Sequence, residues 1–127
     1  MGLTLLAIGV GAATGAVLRW LLAEALNGLW PQLPPGTLAA NLIGGYLIGV
    51  AVILFLHHTE LSPAWRLFVI TGFLGGLTTF STFSAEVMQL IQTGRLGWAG
   101  ATVAAHVAGS LLATWAGILS ARAVWPR

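Results

Sequence analysis

The chain has 127 residues, of which 57% are hydrophobic and only 6% charged, with a mean hydropathy of +0.92. A water-soluble domain carries about a quarter charged residues, so these proportions exclude a water-facing surface and describe an integral membrane protein. Five arginines against three acids, with no lysine, give a net charge of +2 and no basic patch for nucleic acid, and the absence of cysteine excludes disulfides and thiolate metal sites.

A hydrocarbon core takes about 20 apolar residues as a helix, and four runs reach that length within a single domain spanning residues 1–127. The first covers residues 3–26. Met1 to Val10 lacks the basic segment of a cleavable signal, and the run outlasts one, so this span is expected to stay in the protein. Arg19 lies late in it, where a long side chain reaches the interface and can make a positive vestibule. Glu24 follows five residues on, too far round the helix to pair with it. Asn27, Gly28, Pro31, Pro34, Pro35 and Gly36 form a turn region before the second run, residues 37–56, which ends at His57-His58-Thr59-Glu60. Asn41 stands inside that run; its amide either offers two donors to an anion or bonds a neighbouring helix.

Ser62-Pro63 reads as an N-cap with proline at the first helical position, opening a third run over residues 64–92 that Thr93-Gly94-Arg95 closes. Gly72, Gly75 and Gly76 weaken this helix, and five hydroxyl residues with two phenyls follow in the seven residues from Thr78 to Ser84. Two readings of the glycines stay open. They release carbonyls, with Gly75 and Thr78 offering oxygens to a small hard cation, or they merely permit a close helix crossing while the hydroxyls bond back to their own helix. Phe80 and Phe83 share a face with Ser84. Their positive ring edges can meet an anion without formal charge, although two phenyls in a membrane span also serve as packing. Glu86 is the acid well inside a span, a proton carrier or an acceptor for Thr82 or a facing helix.

The fourth run covers residues 96–124. It carries a ladder of small residues (Ala101, Ala105, Gly109, Ala113, Gly117, Ala121) expected to pack closely, beside a polar ladder of Thr102, His106, Ser110 and Thr114. Short connections make successive helices antiparallel. Arg66, Arg122 and Arg127 on the terminal side against Arg19 and Arg95 on the other barely choose an orientation. Weak bias allows insertion both ways and an antiparallel, dual-topology dimer, or a single orientation set by features this count misses, while polar ladders that need something other than lipid to face favour a homodimer. No nucleophile and base, phosphate loop or nucleotide fingerprint is present, so no enzyme is expected.

Three strings, Gly75-Gly-Leu-Thr-Thr-Phe-Ser-Thr-Phe-Ser84, Gly36-Thr-Leu-Ala-Ala-Asn-Leu-Ile-Gly44 and Gly15-Ala-Val-Leu-Arg19, together resemble the Fluc (CrcB-type) fluoride channels across all four helices. That resemblance implies an all-α, dual-topology homodimer in the cell (inner) membrane, with the third helix broken near Gly75–Thr78. Two antiparallel pores would passively export fluoride. It implies Phe80 and Phe83 as pore phenyls, Asn41 as the pore amide, Ser110 and Thr114 with Ser81, Thr82 and Ser84 as a hydroxyl path, and Arg19 at the vestibule. The backbone carbonyls of Gly75 and Thr78 from both subunits would hold a central structural Na⁺. Some members carry a tyrosine on the fourth span near the pore, and Ala104 stands in that neighbourhood here. Two other functions fit fewer features. A small proton-coupled exporter of hydrophobic cations needs a carboxylate in the first helix, which has only Glu24; a non-transporting assembly subunit needs only the glycine ladders.

Overall fold

The computed structural model describes residues 1–126 and is helical apart from its turns. The chain order is α1 (Gly2–Leu26), a 3₁₀ turn (Asn27–Leu29), α2 (Pro35–His57), α3 (Pro63–Arg66), a π-helical segment (Leu67–Leu74), α4 (Gly75–Leu77), α5 (Phe80–Gln92) and α6 (Leu96–Val124). Among the described residues four stretches are long and apolar enough to cross a membrane: Gly2–Leu29, Pro35–His57, Pro63–Gln92 and Leu96–Val124. Helix is the form lipid requires, because each backbone donor and acceptor must be satisfied inside its own segment.

The punctuation is local and conventional. Pro35 starts α2 at a position where no amide is needed. Ser62 caps α3 by accepting from Ala64 N–H at 3.3 Å, as its pairing with Pro63 predicts. After α5, Gly94 takes φ +77°, Gly94 N–H reaches Ile91 O at 3.1 Å and Arg95 N–H reaches Leu90 O at 2.8 Å. This is a Schellman ending, which a left-handed glycine makes accessible.

The third span contains three backbone forms. Wide π turns over Leu67–Leu74 tighten into the single turn of α4. Thr78 (φ −83°, ψ 154°) and Thr79 (φ −146°, ψ 117°) are then fully extended before α5 begins. The chain therefore leaves the helix at two threonines, just after the glycines. β-Branched side chains tolerate extended backbone well. The glycines divide their work. A Cβ on Gly72 would stand 2.8 Å from Ile8 O, and one on Gly76 would meet the carbonyl oxygen of Ala12, so both are contact points with α1. Gly75 has open space around it, with only Ile70 O within 4 Å, at 3.8 Å. The close-crossing reading is thus realised at Gly72 and Gly76, while Gly75 takes no part in that contact.

α1 packs on the π segment and α4, while α2 packs on α6. The second interface is backbone against backbone: side chains on Gly49 or Gly117 would strike the carbonyls of Thr114 and Tyr46. On α6 the expectation about the two ladders is corrected. The polar ladder faces the protein along its first half, with Thr102 and His106 buried, whereas Ala101 is exposed and the small-residue ladder is buried only at Gly117 and Ala121. At 100° per residue a four-residue repeat drifts about 40° each step, so each ladder rotates into and out of the interface. Trp30 meets Trp98 edge-on at one end of the bundle, and His57, His58 and Trp125 cluster at the other, where aromatic rings suit a membrane interface. At that second end Glu60 is exposed. A backbone hydrogen bond and His58, whose Nδ1 lies 3.1 Å from Oε1, hold its carboxyl below the ordinary value. Arg127, counted above with Arg66 and Arg122, lies outside the described residues.

Candidate functional site

The break at Thr78–Thr79 leaves backbone groups that lipid cannot satisfy, and their partners define the site. Thr78 folds back on its own helix, its N–H and its Oγ1 both donating to Leu74 O at 3.1 and 2.8 Å. Thr79 instead turns to α2. Its N–H donates to Asn41 Oδ1 at 2.7 Å, and Asn41 Nδ2 donates to Thr79 O at 3.0 Å. The Thr79 side chain then caps α5 by accepting from Thr82 N–H at 3.0 Å. A single amide on α2 thus replaces the acceptor that Thr79 N–H loses and adds a second donor to Thr79 O, which as the N-cap carbonyl already accepts the first bond of α5.

That pair of bonds also fixes which way the Asn41 amide points, with consequences on α6. The Nδ2 group lies 2.9 Å from His106 Nδ1. An amide nitrogen only donates, so Nδ1 is the acceptor and the imidazole proton sits on Nε2. His106 is 4% exposed, and Nε2 has no partner among the described residues. Its ring lies 4.7 Å from that of Phe83 at 34°, and Phe83 meets Phe80 edge-on at 5.5 Å and 69°. One line of contacts therefore runs from the break through Asn41 and His106 to the two phenyls.

These groups border a cavity of about 530 Å³ whose lining includes Asn41, Gly75, Thr78, Phe83, His106 and Ser110, with Phe80 at its edge. Phe83 is 7% exposed and forms wall, whereas Phe80 is 79% exposed and projects from the chain. Of the residues singled out by sequence, Asn41, Phe80, Phe83, Ser110, Gly75 and Thr78 converge here. The others do not line this cavity. Ser81 is exposed with Oγ 3.4 Å from Thr79 Oγ1; Thr82 and Ser84 are half-buried on α5. Thr114 Oγ1 lies 2.9 Å from both Gly45 O and Ser110 O, tying α6 to α2. Arg19 approaches from the α1 side and donates through Nε to Gly76 O at 3.0 Å.

One feature went unread in the sequence, the ring on α6, while Glu86 meets the facing-helix reading through Thr37. The ring that α6 contributes is His106, while Ala104 is exposed; the polar ladder held that signal, since it places His106 one turn from Ser110. Glu86 joins a separate network at the other side of α5. Thr37 Oγ1 donates to Glu86 Oε2 at 2.7 Å, Thr37 N–H donates to Asn27 Oδ1 at 3.1 Å, and Glu86 Oε1 is buried without a partner. A second cavity of about 230 Å³ adjoins it, bordered by Gln32, Gln89 and Arg95.

For a cation, the side chains offer little: among the described residues no three His, Asp or Glu converge as ligands. Backbone oxygens are better placed. In an unbroken helix Gly75 O would accept from Thr79 N–H and Thr78 O from Thr82 N–H, and both amides are committed to side chains instead. Carbonyls released in this way are the groups that coordinate Na⁺ in unwound membrane helices, so Gly75 and Thr78 fit the expected role.

The model of the family described as CrcB-like protein, Camphor Resistance (CrcB), matches residues 6–118. Among similar proteins is a fluoride-specific ion channel FluC from Chromobacterium violaceum, 65% identical over 92% of this chain and 93% of that protein. Others of the same name come from Pseudomonas paraeruginosa, 60% identical over 92% of each chain, and Tolumonas auensis, 63% identical over 91% of each. With the match running through all four spans and the broken third helix in place, the chain belongs to the CrcB-like family, that of the FluC channels.

Proposed function

We propose that the protein is a fluoride-selective passive channel, working as a dual-topology homodimer in the cell inner membrane with two antiparallel pores. The observation that carries this reading is the Phe80–Phe83–His106 stack beside Asn41 and Ser110. It is a dehydrating wall of ring edges and neutral donors with no fixed charge. Fluoride holds its water tightly, so several donors must replace that water in steps. A formal positive charge in the pore would bind too well to release, whereas weak multiple sites conduct. His106 Nε2–H adds one such donor, and Ser110 another. Ser81, Thr82, Ser84 and Thr114 extend the hydroxyl path at its flanks, and the Nη groups of Arg19 supply positive potential at the vestibule.

A second copy is the natural cover for the open side. Phe80 stands out from the chain far more than a packing phenyl does, and an antiparallel partner would enclose it. The stripped carbonyls of Gly75 and Thr78 from both copies would then face a shared Na⁺, which would supply long-range attraction for an anion passing nearby. The exporter reading finds less support: Glu24 is exposed at the end of α1 and Glu86 is held by Thr37.

Purified protein in liposomes is expected to release fluoride rapidly with little chloride, measured by ion-selective electrodes; comparable chloride release would sink the selectivity. Phe80→Ile and Phe83→Ile each remove ring edges while keeping apolar bulk. Each is expected to cut fluoride efflux by at least roughly tenfold, the scale of an aromatic interaction of about 1.4 kcal/mol, with the dimer retained on size exclusion.

A further inference from the structure

The side chains around the break distribute hydrogen-bond donors unevenly among its carbonyls. Asn41 Oδ1 and Thr79 Oγ1 act as acceptors; they take the amides of Thr79 and Thr82 and so strip the carbonyls of Gly75 and Thr78. Arg19 does the opposite one residue along. The helical donor for Gly76 O would be Phe80 N–H, which the break carries away, and Arg19 Nε takes its place at 3.0 Å. Thr79 O is likewise supplied, by Asn41 Nδ2, and Leu74 O is supplied by Thr78 N–H and Oγ1. Three residues from three different elements thus leave two oxygens bare and occupy the oxygens beside them.

We infer that Arg19, Asn41 and Thr79 are positioning residues that select the Gly75 and Thr78 carbonyls as cation ligands, with Arg19 holding Gly76 out of the set. This rests on the Na⁺ reading above and deepens it. The number and field strength of carbonyl oxygens govern which alkali cation is preferred. Two oxygens from each of two copies give four ligands. Releasing Gly76 would add a third from each copy and favour a larger ion. The guanidinium serves this purpose better than a neutral donor, because its charge also repels a cation from the oxygen it covers. α1 is held against this turn by the Gly11, Gly15, Gly72 and Gly76 contacts, so Arg19 is delivered to Gly76 by close backbone packing.

The test uses the purified full-length dimer in detergent with choline as the background cation. Na⁺ or K⁺ is titrated while thermal unfolding is followed through the six tryptophans. The wild-type midpoint is expected to rise more with Na⁺ than with K⁺; no response to Na⁺ would remove the cation reading itself, and this inference with it, before any variant is made. Thr79→Val lets Thr82 N–H return to Thr78 O and is expected to raise the half-effective Na⁺ concentration roughly tenfold, the scale of one hydrogen bond. Thr79→Ser keeps the cap and the wild-type response. Arg19→Met is expected to narrow the Na⁺ over K⁺ preference at least about threefold, and Arg19→Lys to restore most of it. If Thr79→Val gives no folded dimer, the Arg19 pair decides. A Na⁺-responsive wild type whose response or ion preference is unchanged in these variants overturns the selection and leaves the cation site standing.

Discussion

Asn41→Leu is expected to abolish fluoride flux, by at least about a hundredfold, and to do so mainly through the break. Leucine shares asparagine's branching and number of side-chain heavy atoms and is somewhat bulkier, so no cavity opens. What changes is that Thr79 N–H and His106 Nδ1 lose their partners together, and Thr79 O loses one of its two donors. An unsatisfied buried group costs roughly 1–3 kcal/mol, so two amount to about 2–6 kcal/mol, a large share of the 5–15 kcal/mol that holds a typical domain together. Relief is available by closing the break. With Asn41 gone, Thr79 N–H can return to Gly75 O and α4 can run into α5, swinging Phe80 and Phe83 round the helix axis and away from His106.

Asn41→Asp separates the contributions. It keeps an acceptor for Thr79 N–H, so the break and the dimer survive, but it sets a carboxylate against Thr79 O and in the path of an anion. The expected result is a folded dimer on size exclusion with flux near the liposome background. Leucine at 41 in a dimer conducting within about threefold of wild type would show that the break needs no support from α2. The sequence leaves this amide either as a donor to a passing anion or as a bond to a neighbouring helix. In the structure both hydrogens of Nδ2 are engaged, so its first role is to hold Thr79 and to set the His106 tautomer.

How much of this could be read in advance follows from the kind of constraint involved. The spans were legible because a bilayer demands length and apolarity, and their ends because Ser62, Pro63 and Gly94 act on neighbours a few residues away. The pairing of Phe80 with Phe83 was legible for the same reason, since three residues on a helix share a face. That one phenyl is wall and the other projects was not legible, because periodicity gives a face without saying what stands opposite it. The break expected near Gly75–Thr78 falls at Thr78 and Thr79, the far end of that stretch, because the deciding partner, Asn41, comes from another helix. The same limit hid Arg19 with Gly76, Thr37 with Glu86 and Asn41 with His106, pairs 57, 49 and 65 residues apart. Arg19, Asn41, Glu86 and His106 each stand out in an apolar span; the partner of each depended on which helices lie side by side and how each is rotated, as the drifting ladders on α6 illustrate.

Gly15→Ala and Gly9→Ala are expected to part company sharply, although both add one methyl to the same helix. At Gly9 a Cβ meets nothing within 4 Å; at Gly15 it would collide with the carbonyl oxygen of Phe73 and stand 2.7 Å from Leu77 N. Both obstacles are backbone, so no side chain can rotate away. α1 must lift from the third span beside its break, and the Arg19–Gly76 bond one turn on must stretch with it. Overpacking of this kind costs about 1–3 kcal/mol where the structure can give, and more where two backbones meet. Gly15→Ala is therefore expected to lower the thermal midpoint in detergent by roughly 10 °C, and Gly15→Leu to yield no folded protein. Gly9→Ala should match wild type or exceed it slightly, since alanine is favoured over glycine within a helix by up to about 1 kcal/mol. Lipid packing at Gly9 would be the controlling contact if the two alanine variants melted alike, and the close approach of α1 to the broken helix would then lose its claim to hold the site in place.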